Sequence, residues 1–169
     1  HVNDASYSNQ LTLLSKKLFD LTYRHLHIDK NYRYEFAIAA KLCVSGRTLH
    51  FYSQHKHGYN LVKNALEFGF SHKQIILIAT LIRYAKRKLP SLSHVNKYSE
   101  LLPDTDTLNN LSYLLSLSIV LLSHKPRNID FSLDFNDNEL KIESKNNLYL
   151  VKENIDKLDS LNKFSIKFI

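Results

Sequence analysis

Residues 69–88 read GFSHKQIILIATLIRYAKRK, a segment with a polar start, an apolar middle and a cationic end. Ser71 and Gln74 stand three residues apart, which is the spacing of a capping box at the start of a helix. The run from Ile75 to Ile82 is apolar over most faces of a helix, so we predict that it is the central core helix. Pro90 would end this helix, because the proline ring cannot continue it.

Apolar residues at three- and four-residue steps predict further amphipathic helices on both sides of this segment. Gly69 is placed to cap the preceding helix in the left-handed conformation. The predicted helices cover residues 9–27, 32–49, 55–68 and 72–88, a short turn or helix over 93–102, and a long helix that opens at Pro103-Asp104-Thr105-Asp106 and stops before Pro126.

The apolar period changes from helical spacing to alternation after Pro126. Two alternating stretches, with Asn136-Asp137-Asn138 between them, predict a hairpin. A short helix over residues 151–161 and a last strand over 164–169 follow. We therefore predict a mainly α fold, with a helical domain over residues 1–127 and a small C-terminal antiparallel α+β appendage over residues 128–169.

The charge of the chain is unevenly distributed between these two parts. Residues 1–127 carry 17 Lys and Arg against 8 Asp and Glu, whereas residues 128–169 carry 6 against 8. The overall net charge of +7 therefore belongs to the helical part. A basic body favours anionic partners such as polyphosphate, nucleotides or nucleic acid, although charge alone does not select among them.

Cysteine use and hydropathy indicate a cytoplasmic protein that does not contact a membrane. Cys43 is the only cysteine, so the chain has no intrachain disulfide. The apolar run from Ile75 to Ile82 is far shorter than the roughly 20 residues that a spanning helix needs. The chain lacks Met and begins with His1, so we expect an excised part of a longer protein.

The order of motifs around the core helix resembles the C-terminal region of a known family. The motifs are His57-Gly58-Tyr59-Asn60-Leu61-Val62-Lys63-Asn64, then Gly69-Phe70-Ser71, then Ile82-Arg83-Tyr84-Ala85-Lys86-Arg87-Lys88. They resemble the exopolyphosphatase and guanosine pentaphosphate phosphohydrolase (Ppx/GppA) family, in which His-x-x-x-Leu-Ile/Val-x-Asn precedes Gly-Phe and a helix that closes on Arg-Tyr-His-Arg-Lys. Ala85 stands where the family has its second His.

The resemblance implies an HD-like helical domain at the non-catalytic end of a phosphohydrolase. In that family the catalytic site lies in N-terminal actin-like domains with Gly-rich phosphate loops, and this chain has only three glycines, at 46, 58 and 69. We therefore expect no cofactor in this chain and Mg²⁺ in the catalytic domains of the parent protein. The implied partners are those N-terminal catalytic domains and a second copy in a homodimer.

A metal site of the HD-hydrolase kind needs a His followed by an acidic residue. At the matching place this chain has Cys43 and Val44, and Val44 cannot bind a metal. We therefore expect neither a metal site nor a catalytic residue here, and we expect Cys43 to be a small core residue rather than a nucleophile. The histidines that remain as possible ligands are His25, His27, His50, His55, His57, His72 and His94.

The cations at the end of the core helix are the main candidate for function. Arg83 and Arg87 are four residues apart and are predicted to share one helix face. Lys and Arg are also common at helix C-termini for electrostatic reasons, so these cations could instead remain solvated. The residues predicted to bind polyphosphate are Lys56, His57, Arg83, Lys86, Arg87 and Lys88.

Three functions remain open from the sequence. The first is a polyphosphate-binding and dimerising C-terminal domain, whose parent enzyme would release terminal phosphate from polyphosphate or guanosine pentaphosphate. The second is a diverged HD-type metal-dependent phosphohydrolase that is active by itself. The third is a helical nucleic-acid-binding module, which would need a recognition helix or aromatic residues among the basic ones. We expect the chain alone to release no phosphate.

Overall fold

The structure is a computed structural model, and it describes residues 2–44, 69–85 and 88–169. It is mostly helical, with a small sheet in its C-terminal part. The helices are α1 (Val2–Thr22), a 3-10 turn (Lys30–Tyr32), α2 (Arg33–Leu42), α3 (His72–Arg83), α4 (Leu92–Lys97), α5 (Thr105–Leu121) and α6 (Tyr149–Asp156), and the strands are β1 (Phe131–Asn136), β2 (Glu139–Ser144) and β3 (Ser165–Phe168). The helix predicted over residues 55–68 lies outside the described residues.

The first helix is followed by a turn that accounts for its predicted end near His27. The N–H of Ile28 donates to the carbonyl of Tyr23 at 2.9 Å, and that of His27 donates to Arg24 at 3.2 Å. His27 has a φ of +54°, so it takes the left-handed position of a Schellman cap. Ile28, the residue after it, is buried and anchors the turn on the core.

The start of α3 is as predicted, but its end is not. Ser71 and Gln74 form the capping box, with Ser71 Oγ accepting the N–H of Gln74 at 3.2 Å. Gly69 has a φ of +97°, in agreement with its predicted left-handed conformation. The prediction that the helix continues to residue 88 is wrong, because it ends at Arg83. Beyond it, the N–H of Leu89 donates instead to Asp159 Oδ2 at 3.1 Å.

The prediction that α3 is a core helix is confirmed, because every residue from Ile75 to Ile82 is buried, and α5 is a second core helix. In the described part of the chain, α5 packs against α1, α2, α3 and α6, whereas α3 packs against α2 and α5. Leucines and serines are both buried along α5, and the small serines let neighbouring helices approach on several sides. Its buried Asn110 donates from Nδ2 to the carbonyl of Leu26 at 3.3 Å, which ties α5 to the turn after α1.

The predicted hairpin is present. β1 and β2 pair antiparallel, with Leu133 opposite Ile142 and Asn136 opposite Glu139. Asp137 and Asn138 form the turn, and their φ values of +49° and +62° fit a two-residue type I′ connection. No strand precedes Pro126 in the ranges that the structure describes, as the change of period predicted.

The prediction of an antiparallel appendage is wrong for its last strand. The sheet has the order β1-β2-β3, and β3 runs parallel to β2, with Leu140 opposite Ile166. A tight hairpin can join only antiparallel strands. Here α6 lies between β2 and β3 and returns the chain to the end of the sheet at which β2 begins, so β3 can run parallel to β2. The sheet is therefore mixed.

The sheet and the helices share one hydrophobic core. Leu140 and Ile142 of β2 are 0% exposed and belong to the same apolar cluster as the buried residues of α1 and α5. The segment before β3 is also held to the helices, because His25 Nε2 lies 2.6 Å from the carbonyl oxygen of Lys163 and Lys163 Nζ lies 2.9 Å from Asp106 Oδ1. The division into domains at residues 127 and 128 stays a prediction.

Among the helices that the structure describes, α1 to α6, none combines the length and the apolar character that crossing a membrane requires.

Candidate anion-binding site

The candidate site lies where α3 ends and α4 begins. Ser91 is the N-cap of α4, and its Oγ accepts the N–H of His94 at 3.3 Å. The same oxygen lies 3.0 Å from the hydroxyl of Tyr84, the residue that follows α3. Ser91 therefore connects the end of one helix to the beginning of the next and brings His94 beside the last turn of α3.

His94 is a buried polar residue, 5% exposed, with a partner on each ring nitrogen. Its Nε2 lies 2.8 Å from Thr80 Oγ1, and its Nδ1 lies 3.3 Å from Arg83 Nη1. A guanidinium group donates hydrogen bonds and cannot accept them, so Nδ1 must be the acceptor. The ring proton is therefore on Nε2, which donates to Thr80.

The surroundings of His94 keep its ring uncharged at neutral pH. Burial, followed by the positive charges of Arg83 and Lys97, lowers the pKa of His94 from 6.5 to about 4. Because the neutral ring retains a lone pair on Nδ1, the low pKa agrees with the hydrogen-bond directions inferred from Arg83. His94 can thus accept from a cation without adding a charge of its own.

Two tyrosine rings and two cations surround this histidine. The ring centroid of His94 lies 5.4 Å from that of Tyr84 and 4.9 Å from that of Tyr98. Arg83 Cζ lies 5.5 Å from the centre of the Tyr84 ring, and Lys97 Nζ lies 5.3 Å from that of Tyr98. Both distances are within the range of cation–π attraction. These five residues are called the His94 cluster.

The structure describes two of the six residues predicted to bind polyphosphate. Arg83 is exposed at the last position of α3, and Lys88 is exposed in the segment beyond it. α3 ends at Arg83, and Arg87, which was predicted to share a helix face with it, lies outside the described residues. The remaining predicted residues, Lys56, His57, Lys86 and Arg87, lie outside the described residues.

Four of the five residues of the His94 cluster, namely Tyr84, His94, Lys97 and Tyr98, were not predicted as part of the site. His94 was considered only as a possible metal ligand, and Lys97 was not considered at all. Both come from α4, which the fold places against the end of α3. A weak signal was present in the sequence: Ser91 precedes His94 by three residues, which fits a helix N-cap, and Thr80 interrupts an otherwise apolar run.

The residues at the position of an HD doublet are core residues. Cys43 and Val44 are 5% and 8% exposed, so the prediction that Cys43 is a core residue is confirmed. Among residues 2–44, 69–85 and 88–169, no group of three or more His, Cys, Asp or Glu side chains is arranged to hold a metal ion.

Comparison with known families identifies this helical domain. A family model described as Ppx/GppA phosphatase, domain III, matches residues 1–162. The chain belongs to the Ppx/GppA phosphatase family. Domain III is the C-terminal domain of that family, so the resemblance predicted from the motifs is confirmed. A comparison with individually curated proteins found no match.

In this Ppx/GppA domain, Ala85 stands where the resemblance predicts a second His. Ala85 is 0% exposed, so its small side chain fits a place within the core. His94, from α4, reaches Arg83 at this helix end.

Proposed function

We propose that this domain binds polyphosphate and serves as the C-terminal module of an exopolyphosphatase-like phosphohydrolase. Membership of the Ppx/GppA phosphatase family supports the general activity of the parent protein. The observation that carries polyphosphate binding is the exposed Arg83, ordered by His94 and Tyr84 beside a second cation, Lys97. In this proposal Lys88 continues the cationic track, together with the predicted Lys56, His57, Lys86 and Arg87.

A track of separate cations suits polyphosphate better than a closed pocket would. Polyphosphate is a flexible chain with about one charge per phosphate, and its binding should release counterions as nucleic-acid binding does. Arg83 adds a planar donor that can contact two phosphate oxygens at once, whereas Lys97 and Lys88 supply point charges. The helical part also carries the excess of positive charge, so its overall field favours a polyanion.

Binding of long-chain polyphosphate to the 169-residue chain tests the proposal. The Arg83→Ala and Lys97→Ala changes should each weaken binding and reduce the slope of log K against log salt by roughly 0.7 to 0.9, the value for one lost phosphate contact. Arg24→Ala is the matched control, because Arg24 is also exposed and also lies on a tyrosine ring, 5.6 Å from the centre of Tyr23. Equal effects of all three changes would show that only net charge matters and would contradict a track at Arg83.

A phosphate-release assay separates this proposal from an active HD-type hydrolase. The chain alone should bind polyphosphate without releasing phosphate, with or without added Mg²⁺ or Mn²⁺. Metal-dependent release that persists through purification, and that is unchanged by Arg83→Ala, would instead assign a catalytic function to this domain.

The proposal includes an HD-like arrangement of the helices and partners beyond this chain. We propose that the N-terminal catalytic domains of the parent protein, which would use Mg²⁺, receive the polyphosphate that this domain holds. We also propose that the domain contributes to a homodimer. Sedimentation of the chain over a range of concentrations tests the last point, and a monomer at every concentration would contradict it.

A further inference from the structure

We propose that His94 is a positioning residue, which holds the Arg83 guanidinium in the orientation that receives an anionic oxygen. The proposal rests on the proposed function for the identity of the anion. It concerns a different group from the cations themselves, because His94 is buried and reaches the anion only through Arg83.

The ring of His94 is fixed by contacts on several sides. Thr80, which receives its Nε2–H at 2.8 Å, is 0% exposed and lies inside α3. Tyr84 and Tyr98 pack on the ring, and the backbone N–H of His94 is bonded to the Ser91 cap. These contacts fix the Nδ1 lone pair relative to the last turn of α3, where Arg83 Nη1 lies 3.3 Å from Nδ1.

The direction of the Arg83 hydrogen bond requires an uncharged ring. A protonated imidazole would donate from both nitrogens and would repel the guanidinium. Burial and the neighbouring Arg83 and Lys97 lower the pKa of His94 to about 4, so the ring accepts throughout the neutral range. The charges of Arg83 and Lys97 thus help to keep the His94 ring neutral, and the neutral ring in turn orients Arg83.

Orientation matters because a free arginine side chain has many rotamers, which it loses when it binds a ligand. A guanidinium that is already held by His94 Nδ1 and by the Tyr84 ring loses less freedom when an anion arrives. His94 would thus raise affinity without touching the anion, and removing its acceptor should cost part of the affinity that Arg83 supplies.

Two substitutions separate the two nitrogens of the ring. The amide oxygen of Asn lies near the place of Nδ1, whereas the amide of Gln reaches the place of Nε2. His94→Asn should therefore keep the affinity for long-chain polyphosphate close to that of the unchanged chain. His94→Gln should weaken binding, but by less than Arg83→Ala, and adding it to Arg83→Ala should cause no further loss.

Thermal unfolding of each variant shows whether the fold is kept, and NMR gives a readout that does not depend on the ligand. In the unchanged chain at neutral pH, ¹⁵N shifts should place the His94 proton on Nε2. The Arg83 side-chain Nε–H resonance should be ordered in the unchanged chain and in His94→Asn, and averaged in His94→Gln.

The results test the positioning role of His94 and the binding of polyphosphate separately. A charged ring or a proton on Nδ1 in the unchanged chain would overturn the positioning role whatever the variants do. So would equal losses of binding in His94→Asn and His94→Gln, or an Arg83 resonance unaffected by His94→Gln. If the ordering of Arg83 follows the acceptor but no variant binds polyphosphate, then the positioning role stands and the proposed function fails.

Discussion

Replacing Asp104 by Ala should destabilise the protein at the start of α5, one of its core helices. Asp104 is the N-cap of α5, and its two carboxylate oxygens accept from two different groups of Thr107. Oδ2 accepts the backbone N–H of Thr107 at 3.0 Å, and Oδ1 accepts the hydroxyl of Thr107 at 2.7 Å. Alanine removes both acceptors at once.

The magnitude follows from these two hydrogen bonds. Loss of an N-cap side chain costs about 1 kcal/mol of unfolding free energy. The Thr107 hydroxyl, in a residue that is 9% exposed, loses its acceptor as well, which adds about 1 kcal/mol. The total of about 2 kcal/mol corresponds to a fall of roughly 4 to 8 °C in the midpoint of thermal unfolding for a chain of this size.

The effect of Asp104→Ala should also depend on pH. The backbone N–H and the hydroxyl of Thr107 lower the pKa of Asp104 below 3.8 in the folded protein. A carboxylate whose pKa is lower when folded stabilises the protein above its ordinary pKa, and this contribution is lost as the pH falls through the folded value. The difference in unfolding free energy between Asp104→Ala and the unchanged chain should therefore be largest at pH 7 and smaller near pH 3.

Asp104→Asn is the matched control, because asparagine is an equally good N-cap but does not titrate. Urea unfolding followed by circular dichroism, at pH 7 and at about pH 3, measures all three proteins. Asp104→Asn keeps one acceptor oxygen for the Thr107 N–H, so at pH 7 it should be more stable than Asp104→Ala. If Asp104→Ala is as stable as the unchanged chain at pH 7, or if the difference does not shrink in acid, then the cap does not stabilise α5 as argued.

Three further predictions concern burial and backbone conformation. Leu111 is 0% exposed, so Leu111→Ala should lower the free energy of unfolding measured in urea by about 2 to 5 kcal/mol. Leu13 is 62% exposed, so Leu13→Ala should change that free energy by no more than about 0.5 kcal/mol, and equal effects of the two changes would contradict the packing. Asn138→Gly should keep or raise the thermal midpoint and Asn138→Val should lower stability by about 1 to 2 kcal/mol, because φ is +62° there; the opposite order would contradict the turn. Cys43 should react with a thiol reagent only when denaturant unfolds the chain, and rapid labelling without denaturant would contradict its burial.

Local features of the fold were predictable because neighbouring residues determine them. The Ser71 and Gln74 capping box, the hairpin turn at Asp137 and Asn138 and the change of period after Pro126 all depend on short stretches. The direction of β3 was not predictable in this way. Strand alternation gives the face of a strand, whereas its direction depends on how α6 returns the chain to the sheet.

The end of α3 and most of the site depend on contacts between distant segments. Beyond α3, the N–H of Leu89 donates to the carboxylate of Asp159, which lies seventy residues further along the chain. Arg83 was found from the sequence because cations at a helix end are visible there. His94 and Lys97 were missed because only the packing of α4 on α3 brings them to Arg83.

The attachment of Lys163 to the helices has a thermodynamic consequence. Its carbonyl oxygen lies against His25, its amino group lies against Asp106, and the next residue, Phe164, contacts the ring of Tyr113 edge to face. Lifting the sheet away would break these contacts together and expose apolar surface on both sides of the shared core. Separating the sheet from the helices should therefore cost a large share of the free energy of global unfolding. The domain should melt as one cooperative unit, without a hinge at the end of α5.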